Sequence, residues 1–460
     1  MAVFYHKYEG FSIHIAKFGI CFAFRQKHLK NCFGCDILPH GYFGKGMCFV
    51  TERKLLDKKY VYALVFLCAV IYFVSYVTRI NYSAVLVEIM KSEDFTKTAA
   101  SVPLTGLFIV YGIGQLISGF LGDKFSPEKI IFFGLLLTST MNIALPFVHS
   151  TVLMTVIWSI NGFAQALMWP PLVKILATNL TKEDYAKYIV YIAFGSSFGT
   201  IFVYAASPVV ISLSNWKFVF FGAAAIAVLV SVIWMLFVFR IEKHGRDVEV
   251  NVPEDTNKNN LKKVSFTKPA LILLGLIMLA NIFQGLLRDG ISTWMPTYMS
   301  DTFEFDSSRA IFTGVALPVA TMIVSLFTAT IYRKILKNEA KCTTLFFAVC
   351  TACCVVLCLA NSSSPVISTV MLMTASAATH AINFMYTSIS VAKFERFNKT
   401  SFVTGVINSS VYIGSAVSTY GIAAITTHFG WSGTMVTWLI CSAAGLAAAI
   451  VSIRPFKKQL

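Results

Sequence analysis

Apolar runs of about 20 residues alternate with short polar connections along almost the whole chain. They begin near Tyr60, Ala99, Lys129, Thr151, Tyr185 and Trp216 and, after a polar stretch, near Pro269, Ser308, Thr343, Pro365, Ser401 and Gly433. A helix of that length, rising about 1.5 Å per residue, crosses the roughly 30 Å of bilayer hydrocarbon. The alternating apolar-out segments of a membrane barrel are missing. The pattern predicts an all-α membrane protein of twelve transmembrane helices in two pseudo-symmetric six-helix bundles, 59–240 and 269–460. Between them, 241–268 carries Pro253, Glu254, Asp255, Asn257, Asn259 and Asn260 and reads as a flexible cytoplasmic linker. Residues 1–58 contain neither a clear span nor a signal-peptide cleavage pattern, and a disordered extension is expected there. Met47 would open a more ordinary short basic leader. Within the extension, His28, Cys32, Cys35 and His40 have only a weak metal-binding spacing, so no metal and no cofactor is expected.

Composition agrees with the pattern. A chain that is 56% hydrophobic and 13% charged has too much apolar surface for ordinary soluble domains and needs lipid as its solvent. The formal charge of +16 could suggest nucleic acid, but the positive residues occupy alternate loops and form no basic face with stacking aromatics, so no nucleic-acid partner is expected. Arg53, Lys54, Lys58 and Lys59, then Lys124 and Lys129, Lys182, Arg333 and Lys334, Lys393 and Arg396, and Arg454 mark the cytoplasmic side; the opposite loops carry chiefly Lys91, Lys97, Lys217 and Arg309. Lys and Arg resist translocation. Both termini are therefore expected in the cytoplasm and the chain in the cell membrane. Cys68, Cys350, Cys353, Cys354, Cys358 and Cys441 lie inside apolar runs, as small hydrophobes rather than disulfide partners.

Two arginines break the apolar pattern. Arg79 lies deep in the first predicted helix and Arg288 deep in the seventh, and each is followed four residues on by a serine, Ser83 and Ser292. An arginine at the bilayer centre costs roughly 2.5 to 3.5 kcal/mol even on the lenient insertion scale, so each marks a functional site. If the halves are repeats about an axis along the membrane normal, the two cations face each other and repel unless an anion lies between them. Together they could clamp a phosphate or carboxylate with bidentate hydrogen bonds. The alternative is that one arginine pairs with an acid of the bundle. Asp289 is the candidate, but sequence neighbours point about 100° apart on a helix, which makes a direct Arg288–Asp289 pair awkward. Asp289 is read as a supporting partner or a gate. Tyr72 and Tyr76 share a helix face with Arg79 and suit a wet cavity, although aromatics on one face are commonly packing. His380 in the tenth helix could relay a proton or sit buried and hydrogen-bonded.

At these residues the chain resembles the organophosphate:phosphate antiporter family of the major facilitator superfamily, which includes glycerol-3-phosphate and hexose-phosphate exchangers. The resemblance runs from about Tyr60 to Arg454. It is carried by Tyr-x-x-x-Tyr-x-x-Arg-x-Asn at Tyr72 to Asn81, by Gly119-Phe120-Leu121-Gly122-Asp123-Lys124, and by Asn161-Gly162-x-x-Gln165-x-x-x-Trp169-Pro170-Pro171. Leu287-Arg288-Asp289-Gly290 with Trp294-x-Pro296-Thr297-Tyr298, and Tyr412-Ile413-Gly414, continue it. It implies the major facilitator fold, Arg79 and Arg288 on the phosphoryl group, Tyr72, Tyr76, Tyr111 and Tyr412 lining the cavity together with Gln165, Asp123 and Lys124 at the cytoplasmic gate, and a carrier working as a monomer. Three basic groups of the glycerol-3-phosphate exchangers are replaced, by Gln115 in helix two, Ile80 after the first arginine and Ser196 in helix five. Phosphate capture would then rest on the two arginines and neutral donors such as Gln115 and Ser196.

The expected activity is exchange of an organic phosphate for inorganic phosphate by alternating access, with a small anion as the sole soluble partner. A proton- or sodium-coupled symporter of an organic carboxylate, using Asp289 or His380, is the alternative within the same fold. A non-transporting sugar-phosphate sensor would need a larger cytoplasmic surface than the linker and tail offer. No Gly-rich phosphate loop, paired membrane carboxylates or nucleophile with base stands out, so no enzyme is expected.

Overall fold

The computed structural model describes residues 47–253, 266–360, 363–391, 394 and 400–458. Within them the apolar runs become helices: α1 Lys58–Ala84, α2 Lys97–Lys124, α3 Pro127–Ala144, α4 Thr151–Asn179, α5 Lys182–Leu213 and α6 Lys217–Glu242. The second half supplies α7 Lys268–Phe303, α8 Ser307–Thr328, α9 Glu339–Leu359 and α10 Pro365–Phe384. The last helical run, Thr400–Lys458, contains 59 residues. As one straight helix it would be about 90 Å long, three times the bilayer core. It is broken at Gly430, whose φ of 65° and ψ of −171° lie outside the helical region, in backbone space open to glycine. The chain reverses there, giving α11 (400–429) and α12 (431–458) and twelve spans among the described residues.

Local sequence sets the helix ends. The side chains of Asp57, Thr96, Thr181, Thr267 and Asn338 accept a hydrogen bond from a backbone N–H in the first turn of α1, α2, α5, α7 and α9, satisfying donors the helix leaves orphaned. Helix α4 is interrupted between Ala166 and Trp169, because Pro170 and Pro171 lack the N–H groups that would continue the ladder.

Small residues bring equivalent helices of the two halves close. Gly195 and Gly199 of α5 lie against the Ala69 and Phe73 carbonyls of α1; Gly414 of α11 and Gly285 of α7 lie against the Ile282 and Val411 carbonyls of each other's helices. In lipid, where no hydrophobic force drives helices together, this close packing and interhelical hydrogen bonds provide cohesion. Phe66, Phe133, Val152, Leu229, Leu326 and Ile440 stand exposed around the outside, as lipid contact requires.

One apolar core, including Leu64, Ile71, Leu135, Leu172 and Trp234, lies within the first bundle. A second joins Tyr82, Leu86, Trp158 and Phe220 of the first bundle to Trp294, Phe347 and Trp438 of the second, closing the bundles at the end away from the termini. Polar contacts between the bundles cluster at that end. Lys97 pairs with Asp301 at 2.6 Å, Trp431 Nε1 donates to the same carboxylate at 3.1 Å, and the Lys97 ammonium lies 5.1 Å from the Trp431 ring centre. Lys91 donates to Ser307 at 2.8 Å, Thr105 and Thr419 share a bond of 2.7 Å, and the Tyr204 hydroxyl donates to the Ser292 carbonyl at 3.0 Å.

At the other end, two stretches expected to lack structure meet. β1 Met47–Lys54 pairs antiparallel with β2 Arg246–Pro253, in a register that sets Met47 opposite Pro253 and Lys54 opposite Arg246. The sequence reading as extension and linker did not contain this pairing. Its local basis is Val248, Val250 and Val252 alternating with polar residues, a strand period too short to rival the long apolar runs. Arg53 fixes the junction by donating to the Gly245 and Lys243 carbonyls at 2.9 and 2.8 Å. His28, Cys32, Cys35 and His40 lie outside the described residues.

Candidate functional site

Arg79 of α1 and Arg288 of α7 occur at corresponding depths of equivalent helices and are surrounded by tyrosines. The Arg79 guanidinium carbon lies 4.2 Å from the Tyr76 ring centre and 5.2 Å from that of Tyr111 on α2. Cation–π contacts of this kind contribute about 0.5 to 2 kcal/mol, more as the pair is desolvated, and hold a cation against apolar ring faces. Arg79 Nε is buried with no protein partner. Tyr72 continues the face, its ring 5.3 Å from Tyr76 and 4.5 Å from Trp169 at the α4 break. Tyr111 packs edge-on against Tyr412 of α11 at 4.7 Å, so the aromatic lining passes from one bundle to the other. Tyr76 and Tyr412 lie within electrostatic range of both guanidiniums.

Arg288 differs from its counterpart. Its Nε donates to Asp289 Oδ1 at 3.0 Å and its Nη2 to Oδ2 at 2.7 Å, a bidentate fork between side chains only 13% and 16% exposed. The direct pair of sequence neighbours, expected to be awkward, does form. The Cβ vectors do diverge by about 100°, but the long arginine stem curves round the helix and brings its planar fork onto the carboxylate. Ser415 of α11 donates to Asp289 Oδ2 as well. Of the groups at this site, Ser415 is one the sequence reading did not single out; a lone serine in an apolar helix carries no pattern of its own.

The remaining site candidates divide by environment. Gln115, one turn beyond Tyr111 on α2, has a buried Nε2 without a partner and is a neutral donor at the edge of the tyrosine cluster. His380 on α10 lies within electrostatic range of Arg288 and Asp289. Ser196 turns its hydroxyl onto the Ala193 carbonyl of its own helix at 2.6 Å. Gln165, expected at the cargo, is 1% exposed and is consumed elsewhere. Its Oε1 accepts from Ser75 at 2.6 Å, and its Nε2 donates to Thr78 and Thr138 at 2.8 and 2.9 Å. Asn161 and Asn142 donate to the Thr78 carbonyl, each at 3.1 Å, completing a polar knot of α1, α3 and α4. Both N–H groups of Gln165 Nε2 are thus engaged inside the bundle. At the proposed gate Lys124 ends α2, exposed, and the Asp123 side chain lies outside the described residues.

Comparison with known proteins places this geometry in context. The sequence profile described as "Major Facilitator Superfamily" matches residues 68–419. The glycerol-3-phosphate transporter of Bacillus subtilis (strain 168) is 28% identical over 251 residues, 50% of this chain and 55% of that protein. A probable hexose phosphate transport protein of Chlamydia trachomatis is 21% identical over 284 residues, 57% of this chain and 62% of that protein. The chain thus matches less than two thirds of the length of these relatives. Both names fall within the family that the motifs around the two arginines resemble. Among solved structures, a bacterial homologue of the human lysosomal transporter Spinster, inward-facing and unoccupied, superposes with a TM-score of 0.69 at 14% identity, over 88% of this chain and 99% of that one.

Proposed function

The chain belongs to the Major Facilitator Superfamily, and from that premise we propose that it is a secondary transporter of an organic phosphate, exchanging it for inorganic phosphate by alternating access. The observation that carries this reading is the pair of partly buried arginines, on equivalent helices of the two bundles, within one tyrosine lining. A phosphoryl oxygen set takes bidentate hydrogen bonds from such forks, and Gln115 Nε2 and the tyrosine hydroxyls add neutral donors. The relatives named above, which carry glycerol 3-phosphate or hexose phosphate in their names, support the substrate class.

The distribution of contacts supports alternating access. The bundles are joined by Lys97–Asp301–Trp431 and their neighbours at one end. With the Lys- and Arg-rich loops and both termini in the cytoplasm, that closed end faces the outer side of the membrane. A bound anion offsets repulsion between the arginines, so the loaded carrier closes more readily than the empty one, which favours exchange. The protein works as a monomer in this reading, and no bond is made or broken in the cargo.

The test is uptake of radiolabelled inorganic phosphate into proteoliposomes with and without internal phosphate. Internal phosphate is expected to stimulate uptake, and Arg79→Lys or Arg288→Lys to reduce it by tenfold or more, since lysine keeps the charge but loses the planar fork. Uptake indifferent to both internal phosphate and the substitutions would sink the reading. The Asp289 carboxylate supports a second one, ion-coupled symport of an organic carboxylate, selected if uptake of such an acid collapses with the proton gradient.

A further inference from the structure

Both intramembrane arginines have a counter-group, but of opposite kinds. Arg79 rests on neutral aromatic rings and keeps a buried Nε unpartnered. Arg288 has its fork filled by Asp289, and Asp289 is held from the other side by Ser415. The carboxylate is thus fixed by three hydrogen bonds from two helices and belongs to the site as much as the guanidiniums do. Counting formal charges, two arginines and one aspartate leave a net single positive charge among largely buried side chains, those of Arg288 and Asp289 being 13% and 16% exposed.

We propose that Asp289 is a resident counter-ion that selects the charge of the cargo: the site takes a singly charged phosphoryl group on Arg79, and a doubly charged one only together with a proton. The inference rests on the transport reading above and gives that site its charge specificity. Transfer of a net charge into a low-dielectric cavity is strongly unfavourable. A monoanion brings the occupied site to neutrality. A dianion leaves it negative and lies close to the Asp289 carboxylate, and neutrality is regained when one proton joins the carboxylate or the phosphoryl oxygen. The proton enters with the cargo and leaves with it. Asp289 is a specificity-determining group here; it donates nothing to the anion while ionised.

The groups facing Asp289 from the surrounding helices are Arg79 of α1, His380 of α10 and Ser415 of α11, with Tyr76 of α1 and Tyr412 of α11 near its partner Arg288. Of these, only His380 has an ordinary titration range near neutrality. A dependence on pH must therefore be assigned between His380 and Asp289, and that assignment is made by substitution.

The measurement is binding of radiolabelled inorganic phosphate to the purified full-length protein at about pH 5.5 and about pH 8.5, either side of the second phosphate ionisation near pH 6 to 7, with sulfate, a dianion throughout, as competitor. The wild type is expected to bind phosphate at least tenfold more tightly at the lower pH and to be poorly inhibited by sulfate. Asp289→Asn keeps the shape and the Ser415 contact but removes the charge; it is expected to bind phosphate as well or better at the higher pH and to be inhibited by sulfate. Asp289→Glu, which restores the charge, is expected to restore the preference for the monoanion. The wild-type profile needs no variant to fold, and a wild type that binds sulfate and dianionic phosphate as tightly as the monoanion overturns the proposal. A profile lost in His380→Gln and kept in Asp289→Asn overturns it too. Phosphate binding with the wrong charge preference leaves the transport reading standing, whereas absence of binding of any phosphate at either pH removes both.

Discussion

Gln165 is a polar residue of a membrane helix whose hydrogen bonds are taken up by its own bundle. It comes within the same distinctive stretch as Asn161 and Trp169, and its side chain could serve a phosphate well. Its three hydrogen bonds to Ser75, Thr78 and Thr138 instead join α1, α3 and α4. Leaving a buried partner unsatisfied costs about 1 to 3 kcal/mol, so Gln165→Ala is expected to lower the thermal unfolding midpoint in detergent by several degrees, while the folded fraction binds phosphate within about twofold of the wild type. Loss of binding at an unchanged midpoint would return Gln165 to the cargo. Arg79 and Arg288 were legible for the opposite reason: a charge in a long apolar run is expensive enough to need a purpose. The Arg288–Asp289 fork was not, because helix geometry fixes where Cβ points and leaves open where a long side chain ends.

At the level of helices, the spans were legible because each needs about 20 apolar residues, and the α4 break is written in Pro170 and Pro171. What the apolar pattern could not show is which helices touch. That information lies in single glycines. Gly285 and Gly414 place α7 and α11 so close that a Cβ added at either would meet the Val411 or Ile282 carbonyl, a rigid backbone atom that cannot swing away. Overpacking costs about 1 to 3 kcal/mol. Gly285→Ala is expected to destabilise the second bundle by that amount and to displace Ser415, one turn beyond Val411 and bonded to Asp289 at the arginine site, with thermal unfolding as the measure. Gly275, with open space around its Cβ position, is the control: its alanine variant is expected to unfold within about a degree of the wild type, given the better helix propensity of alanine. Equal effects at the two positions would deny the close α7–α11 contact. The β1–β2 pairing escaped the sequence reading because strands of eight residues draw their partners from far along the chain, and their own alternation is weak beside the helical runs.

For the whole molecule the governing quantity is the difference in free energy between its two access states. The described contacts between bundles at the closed end are few and partly exposed: Lys97 and Asp301 are 25% and 35% accessible. A pair in that position contributes about 0 to 1 kcal/mol, and the ring of Trp431 under the Lys97 ammonium adds about 0.5 to 1 kcal/mol. Together they come to about 0.5 to 2 kcal/mol, which changes a two-state ratio by about 2- to 30-fold. That is large enough to bias the resting state and small enough to be overcome by cargo binding. Asp301→Asn removes the charge while its side-chain oxygen can still accept from Trp431. It is expected to shift the empty protein toward the state open at this end, read as faster modification of a cysteine placed at Thr105 or Thr419 and a longer distance between spin labels on the two bundles. Saturating phosphate, by neutralising the charge left at the arginine site, is expected to shorten that distance again. If labelling at Thr105 is unchanged in Asp301→Asn, the closed end is held by the apolar contacts around Trp158 and Trp294, and the polar trio only marks where the bundles meet.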